Sequence, residues 1–510
     1  LAALAALGLV AFDPFLLAHS RVLHLDAVLS LATAVAVVAL PWATAGGRRY
    51  PWRLVAAGGG AGLAMVQKSA AGLLVPFALV VLAAPRTRSA ARRAWDLALW
   101  AIGATVAAGA VWPALWAAPR WTLGQVVAKA VAEGAVPHSG GNFFLGQPVA
   151  DPGPLFYPVA AAFRLTPPGT LAVAAAALGA VAWLARRRQG MGQSGRLPAP
   201  GVPRGGRGWG AASAPWGPVV VGLVAWGLLF AAVLTLGPKK FDRYLLPALV
   251  AAQVAGGVVI GTAVSAAAAA GPRRRAWGAR ALLGALIGAQ LWAGFRSLPY
   301  PLAYYNPLLG GAKAAQRAIL VGWGEGYDLA ATWLNSLPHA DQLEVSTPGV
   351  SNFAPLFEGR TRSTAGRRPG RTDYDVLYIS KVQRRRYEAL LAATLDDPAA
   401  APAWVGRIAG IPFVWVYGNP TVEPVLAALA ARTQEGDVIV ADGEAAIARR
   451  YDGPRPLLRA WGHWGVADMA TAIATEFPPD WRRAWVVRYP AHDPEVPLVA
   501  LDAVADRGAT

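Results

Sequence analysis

Long apolar runs separated by short charged breaks organise the first 298 residues. The run 1–19 is broken only by Asp13, and 27–47 holds no charged residue. Residues 54–85 carry one charge, Lys68, near the centre, and further runs follow at 97–119, 165–185, 215–236, 245–270 and 281–295. Roughly 20 apolar residues cross about 30 Å of hydrocarbon, so these runs predict a helical membrane domain. The 54–85 run has basic residues at both ends, which predicts two short helices in a hairpin with Gln67-Lys68-Ser69 at its tip. Residues 120–164 are polar, rich in Gly and Pro and too long for a simple turn, while 189–214 read as a flexible linker.

From about 299 the pattern changes to alternating strand-like and helix-like stretches. It predicts helix near 325–337, strands at 343–347 and 374–380, helix near 383–395 and strand 411–417. A similar cycle follows: helix 420–433, strand 437–441, helix 443–451, strand 484–488 and helix 494–506. That alternation argues for an α/β layer with a mostly parallel sheet. The reading is therefore a multi-pass α-helical domain over 1–298 and an α/β domain over 299–510, the latter with two loosely similar halves at about 325–419 and 420–510. No GxGxxG or P-loop follows any of the strands.

Composition agrees with a membrane class: 55% apolar residues, 15% charged and a positive mean hydropathy. The net charge of +18 sits in short loops between apolar runs, a membrane pattern and not a nucleic-acid groove. Trp42, Trp52, Trp95, Trp116, Trp121, Trp216 and Trp292 fall near run ends, as an interfacial belt would. With no Cys, disulfides, thiolate nucleophiles and Cys-ligated zinc are excluded. His19, His24 and His138 have no second His at ligand spacing, so no zinc site is read. The chain opens at Leu1 inside an apolar run and reads as lacking its true N-terminus.

Charge also assigns sides. Loops 46–53, 85–96, 186–214 and 271–280 carry 3, 4, 6 and 4 Lys/Arg and come out cytoplasmic. The breaks at 13–26, 117–169 and 237–244, the Lys68 tip and the α/β domain then fall on the outer face.

Four stretches, in order, carry a resemblance. They are Pro14-Phe15-Leu16-Leu17-Ala18-His19-Ser20-Arg21 with Asp26; Gly62-Leu63-Ala64-Met65-Val66-Gln67-Lys68; Phe144-Leu145-Gly146-Gln147 with Pro154-Leu155-Phe156-Tyr157-Pro158 and Arg164-Leu165-Thr166-Pro167; and Lys239-Lys240-Phe241-Asp242-Arg243-Tyr244-Leu245-Leu246-Pro247. Together they resemble glycosyltransferase family 39, the protein O-mannosyltransferase-like group with the GT-C fold. The segment from Tyr304-Tyr305-Asn306-Pro307 to Gly324-Glu325-Gly326 looks like that of bacterial members with an appended outer domain. The resemblance implies an integral membrane enzyme that takes a sugar from a polyprenyl-phosphate carrier at the outer face, with inversion. In that family an acidic residue of the first outer loop is usually assigned as catalytic; here that region would lie upstream of Leu1.

Such a transfer needs a base for the incoming hydroxyl, cations for the departing phosphate and a greasy groove for the lipid. Asp26 is the carboxylate at a span boundary that fits the first need, with Arg21 beside it; the plainer reading is a helix cap or an ion pair between the two. Lys68, Lys239, Lys240, Arg243 and Tyr244 are the donor-phosphate candidates, against snorkelling or headgroup contact. Phe156 and Tyr157 are candidates for the substrate groove, or belt aromatics. The expected partners are membrane lipid, the polyprenyl-phosphate sugar and an acceptor protein, lipid or glycan, without nucleic acid. No cofactor is certain, and a divalent metal stays open. The rival functions are a lipid-linked sugar transporter or flippase, and a non-catalytic membrane anchor displaying a binding domain. The leading reading requires Asp26 and Arg243 to share one end of the helical domain.

Overall fold

The computed structural model describes residues 1–44, 50–83, 89–193, 216–365, 372–419, 422–442, 446–460, 475, 481–488 and 500–506. Arg48, Arg49, Arg86 and Arg88 of the basic loops, and most of the expected linker, lie outside these residues. The chain divides into two compact units, Leu1–Val321 and Gly322–Thr510.

The first unit is a helical bundle. Among the described residues, five helices are long and apolar enough to cross a membrane: Asp26–Thr44, Ala90–Val111, Pro167–Gln189, Gly217–Leu236 and Asp242–Ala270. Two bent pairs, Ala2–Ala11 with Pro14–Arg21 and Arg273–Arg296 with Pro301–Leu309, bring the number to seven if each counts as one. The bundle is apolar outside as well as inside: Leu7, Val35, Val106, Leu178, Leu228 and Leu282 are all exposed.

Small residues set the closest seam. A Cβ at Gly58 would lie 1.9 Å from the Trp100 carbonyl oxygen, and one at Gly62 2.2 Å from that of Ala104. The helices Pro51–Gln67 and Ala90–Val111 therefore touch backbone to backbone and run in the same direction. For that to hold, the chain must turn back between them. It does so at Lys68, whose extended backbone (φ −159°, ψ 138°) separates Pro51–Gln67 from the turn Ser69–Leu73 and the helix Leu74–Ala83. The expected hairpin is present, with its tip where the sequence places it.

The expected polar region 120–164 contains a helix, Pro119–Ala135, and a two-stranded ribbon of β1 (Asn142–Phe144) and β2 (Gln147–Val149). A further helix, Phe156–Arg164, follows the ribbon. The segment 299–321, where the sequence pattern begins its second domain, belongs to the first unit. The Asn306 amide donates to the Phe163 carbonyl (2.8 Å) and Asn306 Nδ2 to that of Ala162 (3.1 Å). The unit boundary accordingly follows Val321, not residue 298.

The second unit is α/β, and its sheets are mixed: among the described strands, four neighbouring pairs are parallel and three antiparallel. The strands are β3 (Glu344–Thr347), β4 (Arg360–Ser363), β5 (Tyr374–Tyr378), β6 (Trp404–Ile408), β7 (Ile411–Gly418), β8 (Asp437–Asp442), β9 (Leu457–Ala460), β10 (Arg483–Arg488) and β11 (Ala500–Asp506). One sheet has the order β4-β3-β5-β7-β6 and the other β9-β8-β10-β11. In both, the first two neighbouring pairs are parallel and the third is antiparallel. The two halves thus share one strand order and sense, with β6 as an addition to the first. Three expectations change. The strand expected over 374–380 ends at Tyr378, where Ile379–Gln383 turns helical. The strands β4, β6 and β9 had no counterpart in the reading. The helix expected over 494–506 is instead β11 where the structure describes it, because pairing along the edge of β10 overrides the helical preference of its alanines.

Candidate functional site

Three separate chain reversals meet at one end of the bundle. Asp26 opens the helix Asp26–Thr44, and the preceding helix Pro14–Arg21 starts from an Asp13 cap whose Oδ1 accepts from the Phe15 and Leu16 amides (3.0 and 2.9 Å). Lys68 is the hairpin tip. Arg243 lies in the tight turn Asp242–Leu245 that leads into Leu246–Ala270. Lys68 Nζ donates to Asp26 Oδ1 at 2.5 Å, and Arg243 Nε stands 3.6 Å from Oδ2. His24 Nδ1 is 3.0 Å from the same Oδ2. Asp26 and Arg243 therefore share an end, as the leading reading requires.

The aromatic ring of Tyr244 joins the two cations: Lys68 Nζ lies 5.0 Å from its centroid and Arg243 Cζ also 5.0 Å. One carboxylate faces two fixed cations in this cluster, so its formal charge is positive with His24 neutral. Such a cluster suits an anionic group, phosphate above all.

Two neighbouring ion pairs show where the other charges go. Arg164 is 5% exposed. Its Nε donates to Asp242 Oδ2 at 2.7 Å, its Nη1 to the Leu302 and Tyr304 carbonyls at 2.7 and 3.2 Å, and its Nη2 to the Tyr305 hydroxyl at 3.2 Å. The pair ties 164, 242 and 302–305 together. Lys240 is buried, with Nζ donating to Asp151 Oδ1 (2.7 Å) and the Gly237 carbonyl (2.6 Å). Burial by itself raises the Asp151 carboxyl, but the Lys240 ammonium and the Gly153 amide outweigh it and hold the group below its ordinary 3.8.

The sequence candidates therefore separate. Asp26, Lys68, Arg243 and Tyr244 come together. Arg21 does not join them: it is exposed at the end of Pro14–Arg21, and the cations around Asp26 are Lys68, Arg243 and, when protonated, His24. Lys240 is occupied by Asp151, and Lys239 is half-buried in the same loop. Phe156 and Tyr157 are each 2% exposed and packed edge to face (5.3 Å), with Phe144 5.7 Å from Phe156, so they fill a core instead of lining an open groove. His24, Arg164, Asp242 and Asp151 were not read as site residues. A signal existed for one of them, because a lone acid inside Lys239-Lys240-Phe241-Asp242-Arg243 invites a search for its cation. Among the described residues, no three His, Asp or Glu side chains are grouped to hold a metal. No protein-family model matches the chain, and no curated protein matches it.

Proposed function

We propose that this protein transfers a sugar from a polyprenyl-phosphate donor to a hydroxyl acceptor at the outer face of a membrane, with inversion at the anomeric carbon. The observation that carries the reading is the meeting of Asp26, Lys68 and Arg243, three residues drawn from three separate turns. A departing phosphate needs fixed cations, and a hydroxyl nucleophile needs a route for its proton. The bundle's apolar exterior, and the exposure of Trp42, Trp52, Trp95, Trp116, Trp121 and Trp292, support immersion in lipid. The described cations Arg53, Arg92, Arg93, Arg186, Arg187, Arg188 and Arg273–Arg275 flank the other ends of these helices, which supports an outward orientation of the cluster. The lipid tail of the donor would lie along the apolar helices, with its phosphate facing Lys68 and Arg243.

The test is transfer from radiolabelled polyprenyl-phosphate mannose and glucose by the protein in membrane vesicles. Arg243→Ala should reduce transfer at least a hundredfold while leaving expression and detergent-extracted size unchanged, a loss of about 3 kcal/mol of transition-state stabilisation. Undiminished turnover would refute the role of Arg243. A flippase would move the labelled lipid across the bilayer without forming a glycoside, and product analysis separates the two.

A further inference from the structure

The first sheet of the second unit carries cations at its carboxyl edge that no acid answers. β3 lies between β4 and β5 and runs parallel to both. The chain therefore leaves β3 towards one side and, after β4, returns on the other side as β5. Where the connections of neighbouring parallel strands part in this way, a crevice opens at their carboxyl ends, and open α/β sheets bind ligands there. A hollow occupies that place. Pro348, directly after β3, and Tyr378, the last residue of β5, line it together with Lys381, Arg386, Tyr387 and Leu390.

The segment Lys381-Val382-Gln383-Arg384-Arg385-Arg386 puts four cations into six residues. Two have evident tasks. Arg384 Nε donates to the Ser380 carbonyl (2.8 Å), and Arg385 grips Asp396 through two bonds of 3.0 and 2.7 Å. Among the described residues, no carboxylate pairs with Lys381 or Arg386. The backbone nevertheless folds them towards each other. The helix Ile379–Gln383 ends with the Arg385 amide donating to the Val382 carbonyl (3.0 Å) and the Arg386 amide to that of Lys381 (2.9 Å). This closure uses a left-handed residue, most often glycine, and Arg385 fills the position at φ 51°. Burial first, then the charges of Arg384 and Arg386, hold the Lys381 ammonium below its ordinary 10.5. Like charges kept together without an acid repel one another until an anion joins them.

We propose that the mouth of this hollow is a binding site for a phosphate monoester, held by Lys381 and Arg386. The hollow is small, about 10 Å³, so the anion would rest at its mouth and not inside. Two cations match the charge of about −1.5 to −2 on a monoester near neutral pH, whereas a carboxylate would answer only one of them. The guanidinium offers a planar fork to two phosphate oxygens, and the ammonium a point charge. The site uses no residue of the helical bundle and stands apart from the transferase reading. Its ligand chemistry has two sources, a lipid with a monoester headgroup and a soluble phosphate.

Hydrogen–deuterium exchange of the full chain in lipid nanodiscs separates these sources and reports on this segment directly. One arm uses phosphatidylcholine discs with inorganic phosphate in solution. The other uses discs containing phosphatidic acid, with no soluble phosphate. Both are run at about 0.15 M salt, where loose surface charges are screened. The amides of 379–391 should exchange more slowly in at least one arm, and that arm identifies the source. Lys381→Met with Arg386→Met should raise the phosphate or phosphatidic acid needed for half protection at least about tenfold. Arg385→Gln, whose native side chain is turned to Asp396, should leave it unchanged. Should the double variant fail to fold, Lys381→Gln alone decides by the same rise. No protection in either arm, protection that survives loss of both cations, or an equal loss in Arg385→Gln overturns the site.

Discussion

The two ends of the helical bundle handle positive charge in opposite ways. At one end, Arg186, Arg187, Arg188, Arg273, Arg274 and Arg275 are exposed, and Arg53 rests on the rings of Trp42 and Tyr50, each 4.9 Å away. Asp96, a buried acid at this end, stands 3.7 Å from the exposed Arg92. At the other end, Arg164 and Lys240 are buried and each is paired with a carboxylate, while Lys68 and Arg243 converge on Asp26. The number of cations does not distinguish the ends; carboxylates do. Loose cations can serve orientation and headgroups, whereas cations held by acids fix the positions of turns that are far apart in sequence.

Substitution should break this contrast in a graded order. Arg164→Met should cost the most, about 3–5 kcal/mol, because it strands Asp242 and the 302–304 carbonyls. Thermal unfolding of the detergent-solubilised protein would show it, and a cost under about 1 kcal/mol would make the pair peripheral. Lys240→Met should cost less, about 1–3 kcal/mol, since Asp151 can turn to water. The same pair predicts a pH signature. The folded Asp151 pKa lies below 3.8, so its stabilisation is complete above that value and disappears as pH falls through the folded pKa. The difference between the unsubstituted protein and Asp151→Asn should shrink over that window; a constant difference would show that the carboxylate charge plays no part. The smallest effect belongs to the opposite end. Joint replacement of Arg186, Arg187 and Arg188 by Gln should move stability by no more than about 0.5 kcal/mol, and a larger loss would mean those arginines have partners of their own.

Much of the helical unit was legible because an apolar run records its own length. The hairpin at Lys68 could also be read, since basic residues at both ends of 54–85 demand an even number of crossings. The cluster was half legible. Asp26, Lys68 and Arg243 announce themselves as charges at breaks, but which acid takes which cation depends on packing between distant turns. Arg21, five residues from Asp26, looked like its partner and is not. His24 was weighed only as a metal ligand. Phe156 and Tyr157 read as groove residues because an aromatic beside a span gives no sign of which way it faces. In the second unit the strands rich in Val, Ile and Tyr were found, but β4 (Arg-Thr-Arg-Ser) carries little apolar signal and is held in place by β3.

The seam at Gly58 and Gly62 bears on where motion is possible. Two helices whose main chains touch leave no slot for an acyl chain and little freedom to roll, so Lys68 rides on a stiff post. Whatever moves within the bundle must be sought away from this seam. Widening the seam with Gly62→Leu would turn a fixed ammonium into a wandering one while leaving every charge in the sequence intact.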